Sequence, residues 1–204
     1  MVCRNSAGQI RGLRLDAMNT PLHTFVAEVE AALAPDAHEA DVLDRVRAAM
    51  GTLVAQDNWL PDAFAQPHPQ YYQQYLLHGD PQGRFSVVSF VWGPGQKTPI
   101  HDHTVWGVIG MLRGSEFAQA YRHSAHGMQA DGPVEQLHPG DVAAVSPSIG
   151  DIHRVSNAFD DRVSISIHAY GADIGQVKRH VFDPDTGTPK EFISGYANVP
   201  RDPH

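Results

Sequence analysis

The chain has 204 residues, of which 42% are hydrophobic, and a formal net charge of -8 with a pI near 5.8. That length fills one core and is short for two ordinary domains, so a single domain over residues 1–204 is expected. The acidic balance and the lack of any Lys/Arg run argue against a nucleic-acid partner. The longest apolar runs, 105–112 and 142–145, fall far short of the roughly 20 residues that span a bilayer, so no membrane partner is expected either. The first fifteen residues alternate charge with short apolar pieces and lack a secretory apolar stretch, which fits a cytoplasmic location. Cys3 is the single cysteine, which leaves no intrachain disulfide and no thiolate metal cage. A metal must then be held by histidine, carboxylate or water.

In chain order, Thr20 suits a helix N-cap and Pro21 a first helical turn, and Phe25, Val26, Val29, Ala32 and Leu33 are spaced as one apolar face. Ala34-Pro35-Asp36 ends that helix. A second helix is predicted over about 39–50, presenting Val42, Leu43, Val46 and Met50, with Gly51 near its end. Residues 58–71, rich in proline and aromatics, read as irregular packing that completes a helical N-terminal part of about 20–71. After Arg84 short alternating or apolar runs are separated by Gly, Pro, Asp and Asn. They predict strands at 85–92, 105–113, 117–122, 134–137, 142–145, 153–156, 163–170 and 178–182, enough for a β-barrel over about 85–182. The tail, 183–204, is expected to lie over the barrel as a surface segment.

Pro99-Ile100-His101-Asp102-His103 enters a strand-like run, and residues two apart on a strand share a face, so His101 and His103 can reach one ion. About fifty residues later Gly140, Pro147, Gly150 and Asn157 surround a third histidine, His153. Together with Gly95 and Gly114 around the H-x-H pair, these blocks resemble the paired motifs of the cupin superfamily. The resemblance implies a mainly β cupin, a double-stranded β-helix or jelly-roll barrel with an N-terminal helical segment. Most cupins add a glutamate ligand three or four residues after H-x-H, where this chain has Gly107 and Val108. His101, His103 and His153 alone would leave the full charge of a divalent ion to attract an anionic thiolate, and imidazoles by themselves do not select iron.

The run from Val163 to Tyr170 alternates strictly, placing Ser164, Ser166, His168 and Tyr170 on one face. Its plain reading is a polar sheet face in water; its functional reading is a hydroxyl, imidazole and phenol close enough to form a hydrogen-bonded chain. With Phe85 and Trp92-Gly93-Pro94-Gly95, the 99–104 segment, Leu112-Arg113-Gly114, His153 and Ser166-x-His168-x-Tyr170, the chain resembles the thiol dioxygenases. That family contains cysteine dioxygenase and the bacterial 3-mercaptopropionate dioxygenases.

The resemblance implies one Fe(II) per chain on His101, His103 and His153, with Tyr170, His168 and Ser166 as catalytic residues. It also implies a small thiol carboxylate and O2 as partners and a sulfinate as product. Where the mammalian-type enzymes hold the substrate carboxylate with arginine, Gln74 aligns, and Val108 takes the place of their crosslinking cysteine. Both departures resemble the glutamine-type branch and favour 3-mercaptopropionate over cysteine. Arg179 is a candidate carboxylate partner, its plain alternative being a surface pair with Asp173 or Asp183. Trp106 is a candidate wall of the substrate pocket or a core residue. Asp102 reads as a turn carboxylate pointing away from the ligands, and His123, His126 and His138 read as solvated. The competing readings are cysteine dioxygenase proper, a cupin dioxygenase acting on carbon, and a non-catalytic metal cupin that senses a small acid.

Overall fold

The computed structural model describes residues 20–200; Cys3, the N-terminal segment and the side chain of Thr20 lie outside the described part. Two helices lead the chain, α1 (Thr20–Ala32) and α2 (Glu39–Val54). In α2 the buried residues Val42, Leu43, Val46, Ala49, Met50 and Leu53 recur at the spacing that makes one helical stripe, and that stripe faces a sheet. Twelve strands follow: β1 (Gln73–Gly79), β2 (Ser86–Trp92), β3 (Ile100–His101), β4 (Gly107–Arg113), β5 (Glu116–Ser124), β6 (Gly127–Ala130), β7 (Glu135–Leu137), β8 (Val142–Val145), β9 (His153–Asn157), β10 (Ser164–Tyr170), β11 (Arg179–Phe182) and β12 (Pro189–Phe192).

One sheet runs β1-β2-β10-β4-β8 and the other β12-β11-β3-β9-β5-β6, with β7 also paired to β5. Within them, β2-β10-β4-β8 is matched by β3-β9-β5-β7, so successive strands of the barrel alternate between sheets except at the β5–β7 pair. Such alternation is the signature of a jelly roll, the double-stranded β-helix expected from the sequence. All seven residues of β10 are buried. Ile165, Ile167 and Ala169 join Val87, Val91, Val108 and Leu112 in the core under the helices. The opposite parity, Ser164, Ser166, His168 and Tyr170, therefore points into the barrel, and the reading of a polar face in water does not hold. Gly110 permits the helix to close on this sheet, because a Cβ there would lie 2.6 Å from Met50 Cγ and 2.8 Å from Val54 Cγ1.

Each of the eight predicted strands is present, 142–145 with its predicted bounds and the other seven with shifted ends, and four strands carry no clear signal in the sequence. β1 is polar at its start and owes its extended form to pairing with β2 through an irregularity between Leu76 and His78. β3 has two residues, and β12 opens on Pro189 and carries Lys190 and Glu191, as edge strands do. β6 is the return of a hairpin from β5. The tail is more than a surface wrapping. After β12 it returns along β1, where Ala197 N donates to Gln74 O at 2.8 Å and Asn198 bonds Leu76 N and O at 2.9 and 3.0 Å.

Candidate metal centre

His101 ends β3 and His153 opens β9, and the two are register partners across that pair. His103 does not sit on a strand: the chain turns after β3, and Thr104 takes a left-handed φ of 60°. Asp151 holds that turn, its carboxylate accepting from His103 N at 3.2 Å and Thr104 N at 2.9 Å. The H-x-H spacing thus works through a short strand and a tethered turn rather than through one regular strand. The three rings lie with centroids 4.8 to 5.0 Å apart, and their ligand atoms all fall within 4.8 Å of one another.

His101 Nδ1 donates to Pro99 O at 3.1 Å and His103 Nδ1 to Asp151 O at 3.0 Å, which leaves Nε2 of each ring as the free lone pair. Burial is the main cause that holds all three imidazoles below their ordinary pKa, His101 down to about 4, so they are neutral near pH 7. Among the described residues no carboxylate belongs to this group. The neighbouring Asp102 turns away, accepting from His180 N at 2.7 Å and from His180 Nδ1 at 2.8 Å. Three neutral nitrogen donors, two of them oriented by backbone carbonyls, with no acid in the group fit a divalent transition metal.

Across the barrel, in the other sheet, β10 carries the hydrogen-bonded chain. Ser166 Oγ lies 2.8 Å from His168 Nε2, and His168 Nδ1 lies 2.8 Å from Tyr170 Oη, whose ring stacks on His103 with centroids 5.6 Å apart. Burial lowers His168 to about 3 and raises Tyr170, so imidazole and phenol are both neutral. Gly107, not Val108, is the register partner of Tyr170. A Cβ on Gly107 would sit 2.9 Å from the Tyr170 ring, whereas Val108 points into the core under the helices. The assignment of Val108 to the place opposite the tyrosine is therefore off by one residue, a slip that reverses the face of a strand.

Glu116, unread in the sequence, opens β5 and is 1% exposed. Burial raises its pKa to about 7 against the opposing effect of Ser166 and Trp92 hydrogen bonding. The unfolded carboxyl titrates near 4.5 and the folded one near about 7, so stability from the neutral form is full at low pH and is lost as pH rises through about 7. Glu116→Gln cannot ionise. Its stability relative to wild type, from urea unfolding, is expected to be roughly 3 kcal/mol more favourable at about pH 9 than at about pH 4. An equal difference at both pH values would show that no ionisation is suppressed.

A narrow cavity connects these groups, lined by the three histidines, His168 and Tyr170, the aromatic rings of Tyr72, Phe90 and Trp92, and both Gln74 and Arg179. Gln74 is committed to the tail, its Nε2 donating to Ser194 Oγ at 3.2 Å and Gly195 O at 3.0 Å. Arg179 is 3% exposed, donates from one terminal nitrogen to Ser194 Oγ at 2.7 Å, and keeps Nε buried without a partner. It makes no ion pair among the described residues; Asp173 accepts from Tyr196 and Asp183 from the 185–186 turn, which removes the surface-pair reading. Trp106 is not among the cavity's lining residues. Its ring lies on Gly171, where a Cβ would come within 2.2 Å of the indole nitrogen, and it packs with the helix-side core. Tyr72, Asp151 and Ser194 carry no sequence signal of their own, since each acquires its place through contacts far along the chain.

A jelly roll with three converging imidazoles and no acidic partner defines a three-histidine cupin. The model of the cysteine dioxygenase type I family matches residues 20–183, and the chain belongs to that family. Among curated proteins it is similar to cysteine dioxygenase type 1 of Bos taurus, 28% identical over 129 residues covering 61% of this chain and 62% of that protein. It is similar also to cysteine dioxygenase type 1 of Homo sapiens, 29% identical over 123 residues covering 58% and 59%. The match spans about three fifths of the length of these relatives. A solved cupin superfamily protein from Desulfitobacterium hafniense is similar at 15% identity, with 59% of this chain and 95% of that one covered and a TM-score of 0.44.

Proposed function

We propose that this protein is an Fe(II)-dependent thiol dioxygenase that converts a small thiol carboxylate and O2 into a sulfinate, with 3-mercaptopropionate preferred over cysteine. The reading rests on one observation above the others: a buried, unpartnered guanidinium nitrogen, Arg179 Nε, in the same cavity as three neutral imidazoles. His101, His103 and His153 would hold the ion, which supplies Lewis-acid attraction for a thiolate and redox chemistry toward O2. Thiolate plus O2 gives sulfinate with two S–O bonds made and the O–O bond broken. Sulfur loses four electrons and dioxygen gains them, so no external reductant is required.

The chain's own groups then divide the remaining work. Arg179 binds the substrate carboxylate by a charge-assisted pair that its present partners leave room for. Tyr170 offers a hydroxyl proton to the reacting end of the cavity, held in place through His168 and Ser166. Tyr72, Phe90 and Trp92 restrict water.

The preference for 3-mercaptopropionate follows from what lines the cavity. No aspartate or glutamate is among the lining residues, so the ammonium group of cysteine finds no counter-charge there, and its desolvation goes uncompensated. The names of the curated relatives favour cysteine instead. Oxygen uptake by the iron-loaded protein should therefore be measured with 3-mercaptopropionate, cysteine, cysteamine and mercaptosuccinate, with products identified by mass. Sulfinate formed most efficiently from 3-mercaptopropionate is the expected result. Efficient turnover of cysteine alone would reverse the substrate order, and no uptake with any thiol would remove the enzyme reading.

A further inference from the structure

The hydroxyl of Ser166 has one proton to give and two lone pairs to fill. Trp92 Nε1 donates to it at 3.1 Å, and His168 Nε2 lies 2.8 Å away. The carboxyl of Glu116 borders the same hydroxyl and the same indole, with Oε2 buried and unpartnered. Among the described residues it makes no ion pair. Around it stand Asn157 from β9, its register partner, His168 and Tyr170 from β10, and Trp92 from β2; His153, Glu135, Asp131, Tyr121 and Asp151 line the far part of the cavity that Glu116 borders.

We propose that Glu116 is a positioning residue that sets the direction of the Ser166–His168–Tyr170 chain, turning the Tyr170 hydroxyl toward the metal cavity when protonated and away from it when ionised. The donor count allows two complete arrangements. With Glu116 protonated, its O–H donates to Ser166, Ser166 donates to His168 Nε2, His168 Nδ1–H donates to Tyr170 Oη, and the phenol proton is free for the cavity. With Glu116 ionised, Ser166 donates to the carboxylate, His168 Nε2–H donates to Ser166, and Tyr170 donates inward to His168 Nδ1. His168 is neutral in both, and its proton changes nitrogen.

Passage from the first arrangement to the second needs one proton to move along each of the two bonds of the chain and across the contact between Glu116 and Ser166. Glu116 gives to Ser166, Ser166 to His168 Nε2, His168 Nδ1 to Tyr170, and Tyr170 releases its own proton to the cavity. One proton leaves the chain and each donor keeps an acceptor. Glu116 is restored from solvent through a second cavity of about 360 Å³ that it lines together with the exposed Gly132 and Ile149. The titration of Glu116 near about 7 puts both arrangements within reach of neutral pH. The inference deepens the dioxygenase reading by assigning control of the Tyr170 proton, but the direction of the chain can be measured without turnover.

The test uses the full chain loaded with zinc as a diamagnetic stand-in and labelled with 15N-histidine, with His168→Gln identifying the His168 signals. Across about two pH units either side of neutrality, wild type is expected to move its His168 proton from Nδ1 to Nε2 as the infrared band of a protonated carboxyl disappears. Glu116→Leu, which leaves Ser166 no acceptor but His168, is expected to hold Nδ1–H throughout; Glu116→Gln is expected to hold one tautomer at every pH. A His168 tautomer that stays constant in wild type while the carboxyl band vanishes overturns the proposal, as does a switch that persists in either variant. Should both variants fail to fold, the wild-type comparison of band and tautomer decides alone. In the iron-loaded protein, kcat is expected to fall with rising pH in wild type and not in Glu116→Gln, with KM unchanged. Absence of thiol oxidation would sink the enzyme reading and leave the tautomer result standing.

Discussion

His153→Ala is expected to strip the purified protein of its metal and to lower thiol oxidation by more than the roughly 10- to 100-fold that loss of an outer metal partner costs. The reason lies in the donor set. Three imidazoles supply every protein ligand in this group, and among the described residues no carboxylate joins them, Asp102 being engaged by His180 and Asp151 by the turn. His153 is also neutral by burial, so its removal takes away a lone pair and not a charge that the fold had to accommodate. The fold should survive, because the main helix-side core is made elsewhere. Metal analysis of the purified variant beside circular dichroism is the check. Tyr170→Phe is the contrast, expected to keep its metal and lose turnover. Undiminished metal in His153→Ala would show that the ion sits elsewhere.

Arg179→Ala is expected to cost a carboxylate-bearing thiol about 10²- to 10³-fold in kcat/KM, in the range of removing one member of a buried charged pair. Cysteamine, which has no carboxylate, should lose far less. A guanidinium that is 3% exposed, pushed below its ordinary pKa by burial and left with Nε unpartnered, destabilises the empty site; an incoming carboxylate corrects it. The same reasoning predicts that the variant is no less stable than wild type without substrate. An equal loss for both thiols would mean that Arg179 supports the cavity wall through Ser194 and Phe192 and does not meet the substrate.

The barrel was largely legible because its signals are local. The alternation over 163–170, the glycine and proline punctuation after Arg84, and the stripe of α2 each follow from the geometry of a single element. What was missed lacked such signals. β3 is two residues long, β1 is half polar, and the tail's return to β1 depends on residues more than a hundred positions away. Val108 and Gly107 are one step apart in sequence and on opposite faces of β4, so the true neighbour of Tyr170 depended on a register that spacing alone left open.

By itself the sequence determined the kind of fold and the chemistry of the donors, because residue type and periodicity specify which side chains share a face and which atoms can bind a metal. The tertiary structure decided everything that requires two distant stretches to meet. It turned the polar face of β10 inward, gave Gln74 to the tail, and left Nε of Arg179 unpartnered in the cavity. It also brought Glu116 against Ser166. Partners of a buried polar group are set by whichever strands the barrel closes against it, and that closure is a property of the whole chain.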